Sequence, residues 1–180
     1  MSLIILDRDG VINQASATMI KSPADWVPIE GSLEAIARLN QAGYRVVVIT
    51  HQPGIYQGVL DVETLTKIHS KMRRMLAQVG GKIEAILYCP PHSRDDHCSC
   101  WQPLDGALAE LENRLRIDLS KIPVVGSTST HVQSAIAVGA RPIIVRTGNT
   151  EHAVTEALPS GVEIYDDLAS VTAWLLDVQF

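Results

Sequence analysis

Six short apolar runs punctuate the chain: "LIIL" before Asp7, "YRVVVIT" ending at Thr50, "IEAILY" ending at Tyr88, "IPVV" before Gly126, "RPIIV" ending at Val145 and "VEIY" ending at Tyr165. Most do not alternate apolar with polar residues, so they do not read as strands with one wet face. Near-continuous runs of this length belong to parallel strands covered on both sides. The segments between them carry a helical period. Leu33, Ile36, Ala37 and Leu39 follow Ser32, which reads as a cap, and stop at Gly43, which fits a left-handed C′ position. Val62, Leu65, Ile68, Met72, Met75, Leu76 and Val79 form a second stripe between Asp61 and Gly80-Gly81, with Met72 and Met75 as core filler. Leu108, Leu111 and Leu115 form a third, and Val132, Ala135, Ile136 and Val138 a fourth that ends at Gly139. Strands alternating with helices predict an α/β fold with a doubly wound, mostly parallel sheet. In such a fold an active site lies at the carboxyl ends of the strands, here the loops 7–13, 50–58 and 126–131.

With 180 residues, 46% hydrophobic and 19% charged, the chain has enough apolar side chains for one core, and a single domain over residues 1–180 is expected. Its formal net charge is −5 and its longest basic run is Arg73-Arg74, which argues against nucleic-acid and membrane-surface partners and for a small molecule. The opening "MSLIILDRDG" is too short and lacks a basic flank for a signal segment, and no stretch approaches the roughly 18 apolar residues of a membrane span. A cytoplasmic protein is expected. Cys89, Cys98 and Cys100 lie together with His92 and His97, a cluster that in a cytosolic chain points to metal rather than a disulfide.

"LIILDRDGVIN" sets Asp7 directly after an apolar strand, Asp9 two residues on, and Gly10 where the chain must turn. Two acids so placed can divide labour, one attacking or holding a metal and the other moving protons. The loop "CPPHSRDDHCSC" offers Cys89, His92, Cys98 and Cys100, a Cys₃His set suited to tetrahedral Zn²⁺, with His97 as the other candidate for the histidine. A closed set of four leaves no open position for chemistry, so the zinc would brace the 89–105 loop.

These motifs, "DRDGVIN", then "VVVITHQPGI", the cysteine loop and "PLDGAL", resemble the haloacid dehalogenase superfamily, and within it the heptose-bisphosphate and histidinol-phosphate phosphatases. The resemblance covers almost the whole chain and implies a fold without a large cap domain. It implies that Asp7 is the nucleophile that becomes an aspartyl-phosphate and also a Mg²⁺ ligand. By the same resemblance Asp9 is the general acid and base, its carbonyl touching the metal, and Thr50 hydrogen-bonds the transferred phosphoryl group. Phosphoryl transfer needs such an in-line nucleophile, a proton source and neutralised equatorial oxygens. His51 and Gln52 stand beside Thr50 as phosphate or substrate contacts, and Arg146, like Lys21, could lend a positive charge. The zinc loop is a family feature too, usually as C-x-H where this chain has C-x-x-H.

The chain also departs from the family pattern. Where that pattern reads R-K-P after the last cysteine, this chain has Trp101-Gln102-Pro103, and where it reads V-G-D with a second aspartate, this chain has "VVGSTSTH" with Ser127 and His131. Mg²⁺ favours carboxylate and water over a neutral hydroxyl. Removing one preorganised charge-stabilising group typically costs about 10²–10³ in rate. The expectation is therefore a phosphatase of a small sugar phosphate with reduced activity and weakly held Mg²⁺; the oligomeric state is left open, a monomer being favoured. The competing expectation is a pseudo-phosphatase that binds a ligand or partner, with Trp101 as an aromatic wall. Nucleic-acid end processing, known on this fold, lacks a basic groove here. The helix after Gly126 is expected to be capped by Ser129 or Thr130 and to offer free N–H groups to an anion.

Overall fold

The computed structural model describes residues 2–88, 105–148 and 158–177. Its strands are β1 (Leu3–Asp7), β2 (Arg45–Thr50), β3 (Ala85–Tyr88), β4 (Pro123–Gly126), β5 (Arg141–Val145) and β6 (Glu163–Tyr165). All pair in parallel, in the order β3-β2-β1-β4-β5-β6. The six apolar runs thus become six strands. β1 is buried along its whole length, and β2 everywhere except at Arg45, whereas the edge strands β3 and β6 have no fully buried residue.

Among the described residues, six α-helices accompany the sheet: α1 (Ser32–Gln41), α2 (Pro53–Tyr56), α3 (Val62–Gln78), α4 (Asp105–Leu115), α5 (Ser129–Ala137) and α6 (Leu168–Asp177). Alternate strand residues point to opposite faces, which splits the interior into two cores. On one face Ile4, Leu6, Val46 and Val48 pack with Ile36 and Leu39 of α1, with Leu65, Ile68, Met72 and Leu76 of α3, and with Leu168, Val171 and Leu175 of α6. The opposite face buries Leu3, Ile5, Val47 and Ile49 against Leu108 and Leu111 of α4 and Ala135 of α5. Each fully buried aliphatic side chain contributes about 1.5–3 kcal/mol, so burial on both faces helps to hold the helices against the sheet.

Met72 is fully buried and Met75 packs against the same core, as their spacing predicts. Gly43, Gly80 and Gly139 end their helices with positive φ. Three readings are corrected. Ser32 is not the cap of α1: the cap is Gly31 at φ 78, and the Ser32 hydroxyl instead donates to the Ile12 carbonyl at 2.6 Å. Ile136 and Val62 are exposed rather than part of the fourth and second apolar stripes. The cap of α5 is Thr128, not Ser129 or Thr130. Among the described residues there is no cap domain, and no helix is long and apolar enough to cross a membrane.

β1 and β4 are neighbours, while β2 and β3 continue to one side and β5 and β6 to the other. The strand order therefore reverses between β1 and β4, and a crevice opens at their carboxyl ends. Asp7 closes β1 and Gly126 closes β4 at that crevice.

Candidate active site

Asp7 is 8% exposed, the only carboxylate among the buried residues described. Burial pushes its carboxyl up to about 6; His131 offsets part of this rise and Asp9 adds to it. The His131 ring reaches it directly, Nε2 lying 3.2 Å from Asp7 Oδ2. The other ring nitrogen is also engaged: Nδ1 lies 3.2 Å from the backbone nitrogens of both Ser127 and Thr128 and 2.8 Å from Thr128 Oγ1. Backbone N–H groups can only donate, so Nδ1 accepts, and the bonding pattern assigns the proton to Nε2. His131 thus donates to Asp7.

The same bonds close the start of α5. Thr128 and His131 form a reciprocal capping box, with histidine in the place where glutamate or glutamine is usual. The N–H groups of Ser127 and Thr128 are taken up by the ring, so this helix start does not present them to an anion as its sequence suggests. Ser127 is buried and its hydroxyl donates to the Asp9 carbonyl at 3.3 Å.

Glycines make room for both side chains. A Cβ at Gly126 would lie 2.3 Å from His131 Cβ, and Cβ atoms at Gly10 and Gly148 would each lie 2.6 Å from Ser127 Oγ. Gly10 also needs its freedom for a φ of 83° at the turn after the aspartates.

Asp9 faces elsewhere. Arg8, fully buried, grips it with two bonds of 2.9 and 3.0 Å, and Asn13 Nδ2 donates to it at 2.9 Å. The Arg8 guanidinium also donates to His69 Nε2 at 3.1 Å. Burial, then the charges of Arg8 and Arg73, push His69 down to about 4, which keeps that nitrogen free to accept. Sequence reading missed Arg8, Asn13 and His69. His69 did leave a signal, since it lies four residues after Leu65 and three before Met72, on the inward stripe of α3.

On the β2 side, Thr50 is buried and its hydroxyl accepts from Gln52 Nε2 at 2.8 Å. His51 sits on the exposed rim, its pKa lowered by desolvation and then by His131. Arg146 follows β5, but its guanidinium is paired with Asp166 at the surface, 2.7 Å away. Lys21 is exposed, and its backbone N–H donates to Asp25. Cys89, His92, His97, Cys98, Cys100, Trp101 and Gln102 lie outside the described residues. Below the carboxylate, Ile5, Ile49, Leu108, Val124 and Val125 line an apolar pocket that Asp7 and His131 close.

A hard divalent cation takes oxygen ligands. The Asp7 carboxylate and the Asp9 carbonyl suit it in kind. Both now accept hydrogen bonds from the chain itself, through a hydroxyl and an imidazole that follow β4.

The family model of the polynucleotide kinase 3 phosphatase matches residues 2–137. The D-glycero-beta-D-manno-heptose-1,7-bisphosphate 7-phosphatase of Bordetella bronchiseptica is 46% identical over 177 residues, covering 98% of both chains. The protein of the same name from Pseudomonas aeruginosa is 44% identical over 97% of this chain and 98% of its own. A crystal structure of the D,D-heptose 1,7-bisphosphate phosphatase from B. bronchiseptica, complexed with magnesium and phosphate, superposes with a TM-score of 0.93 at 45% identity over 99% of both chains. The counterpart from Burkholderia thailandensis gives 0.76 at 41% identity over 98% of this chain and 99% of its own. Fold and aspartate loop together define a phosphatase of the haloacid dehalogenase superfamily. Within that class the chain belongs to the D-glycero-D-manno-heptose-1,7-bisphosphate 7-phosphatase family.

Proposed function

We propose that this chain hydrolyses a phosphomonoester of a heptose bisphosphate or a closely similar sugar phosphate, with Asp7 as nucleophile. The observation that carries this reading is a buried carboxylate at the reversal of strand order, in a chain that matches heptose-bisphosphate phosphatases end to end. An Asp7 oxygen attacks phosphorus, the bond to the sugar oxygen breaks, and an aspartyl-phosphate forms. Asp9, swung from Arg8 and protonated from solvent, gives that proton to the departing oxygen, then takes one from the water that attacks the aspartyl-phosphate and releases phosphate. Thr50, with its hydroxyl already oriented by Gln52, and His51 on the rim bind the phosphoryl oxygens.

The magnesium in the Bordetella structure supports a Mg²⁺ ion in the same cleft. The Asp7 carboxylate and Asp9 carbonyl would hold it, and when bound it would neutralise the phosphoryl oxygens. With Ser127 and His131 at the end of β4, and Trp101-Gln102 where cations are expected, turnover is slow. The names of the relatives favour an enzyme over a protein that only binds. They also favour a sugar phosphate over a nucleic-acid end, in keeping with a net charge of −5.

The test is phosphate release from D-glycero-β-D-manno-heptose 1,7-bisphosphate with Mg²⁺. The wild type should exceed an Asp7→Asn control, which should fall to background; equal rates would sink the reading. Cys89, Cys98 and Cys100 with His92 are proposed to hold one structural Zn²⁺, supported by their clustering and donor types. Elemental analysis should then find about one zinc per chain, lost in a Cys98→Ser, Cys100→Ser double variant.

A further inference from the structure

The two oxygens best suited to a cation in this cleft both terminate hydrogen bonds from the same short segment. Asp7 Oδ2 accepts from His131 Nε2, and the Asp9 carbonyl accepts from Ser127 Oγ. Neither donor is there by chance of rotamer. His131 is pinned through Nδ1 by two backbone N–H groups and Thr128, and its Cβ fills the space that Gly126 leaves open. Ser127 is buried and fits between Gly10 and Gly148. Each oxygen keeps a second lone pair, but a cation bound there would lie beside a donor proton on the same oxygen, so ligation and the existing hydrogen bonds oppose each other.

We infer that Ser127 and His131 are an internal competitor of the divalent cation, holding Asp7 and the Asp9 carbonyl in place without it and yielding only when it enters. This rests on the phosphatase reading of the cleft and deepens it. A segment that merely lacked a ligand would weaken the metal by omission. A competitor weakens it through donor protons that face the cation on shared oxygens, so removing a donor without adding any ligand should tighten the metal.

The experiment is a calorimetric titration of MgCl₂ into the metal-stripped, zinc-loaded full chain, with no substrate. Ser127→Ala removes the hydroxyl donor and adds no ligand. It should bind Mg²⁺ about three- to tenfold more tightly than wild type, the equilibrium worth of one hydrogen bond. A second readout needs no variant: the ¹⁵Nε2 resonance of His131 in the wild type should shift on adding Mg²⁺ and saturate with the calorimetric Kd.

If Ser127→Ala binds Mg²⁺ more weakly than wild type, the hydroxyl is a ligand and the inference is overturned. It is equally overturned if wild type and variant bind alike, if neither binds, or if metal binds while the His131 resonance stays still. Because the titration reads metal and not turnover, an inactive protein with the expected order of affinities would sink the proposed activity and leave this inference standing.

Discussion

At the scale of single residues, Asp7 shows what a buried carboxylate costs its own fold. Its pKa is raised from 3.8 to about 6, with burial the main cause. Below pH 3.8 the group is protonated in folded and unfolded chains alike. Between about 4 and 6 the unfolded chain ionises while the folded one keeps its proton, so stability falls as pH rises; above about 6 the loss is complete. A shift of this size corresponds to about 3 kcal/mol. Asp7→Asn should therefore raise the melting temperature at about pH 7 in metal-free protein, because a neutral amide still accepts from His131 Nε2. At about pH 3.5 the two proteins should melt nearly alike. Thermal unfolding between those two pH values checks this, and a variant whose curve runs parallel to wild type would contradict it.

At the scale of elements, the α5 cap couples a helix start to the cleft. Thr128→Ala removes one half of the capping box and one of the groups that hold His131 Nδ1. It should cost about 1 kcal/mol, measured by denaturant unfolding. Strand positions were readable in the sequence because buried parallel strands are continuous apolar runs, and α3 because its stripe is long. The short α2 and the strongly apolar α6 were not, since one is a single turn and the other has no clean polar face. The candidate site was readable at Asp7, whose strand-end position follows from the pattern. The internal pairings were not. That Asp9 turns to Arg8, or that His131 serves both cap and carboxylate, depends on how side chains orient and meet once the segments are folded together.

At the scale of the whole molecule, the sheet separates two cores, and the smaller one supplies most of the pocket under Asp7, through Ile5, Ile49, Leu108 and Val124. Leu39 of α1 and Leu108 of α4 are comparably buried, one in each core. Truncating either to alanine should destabilise the protein by about 3 kcal/mol through lost burial and the cavity left behind. Their effects on Asp7 should differ. Leu108 lines the pocket beneath the carboxylate, so Leu108→Ala opens room for water there and relieves the desolvation that raises the pKa. The folded pKa then moves down toward 3.8, and stability falls less steeply between about pH 4 and 6. Leu39→Ala, on the far face of the sheet, should keep the wild-type slope at a lower overall stability. Denaturant midpoints at about pH 4 and about pH 7 separate the two outcomes: equal slopes for both variants would mean that the pocket under Asp7 does not set its titration.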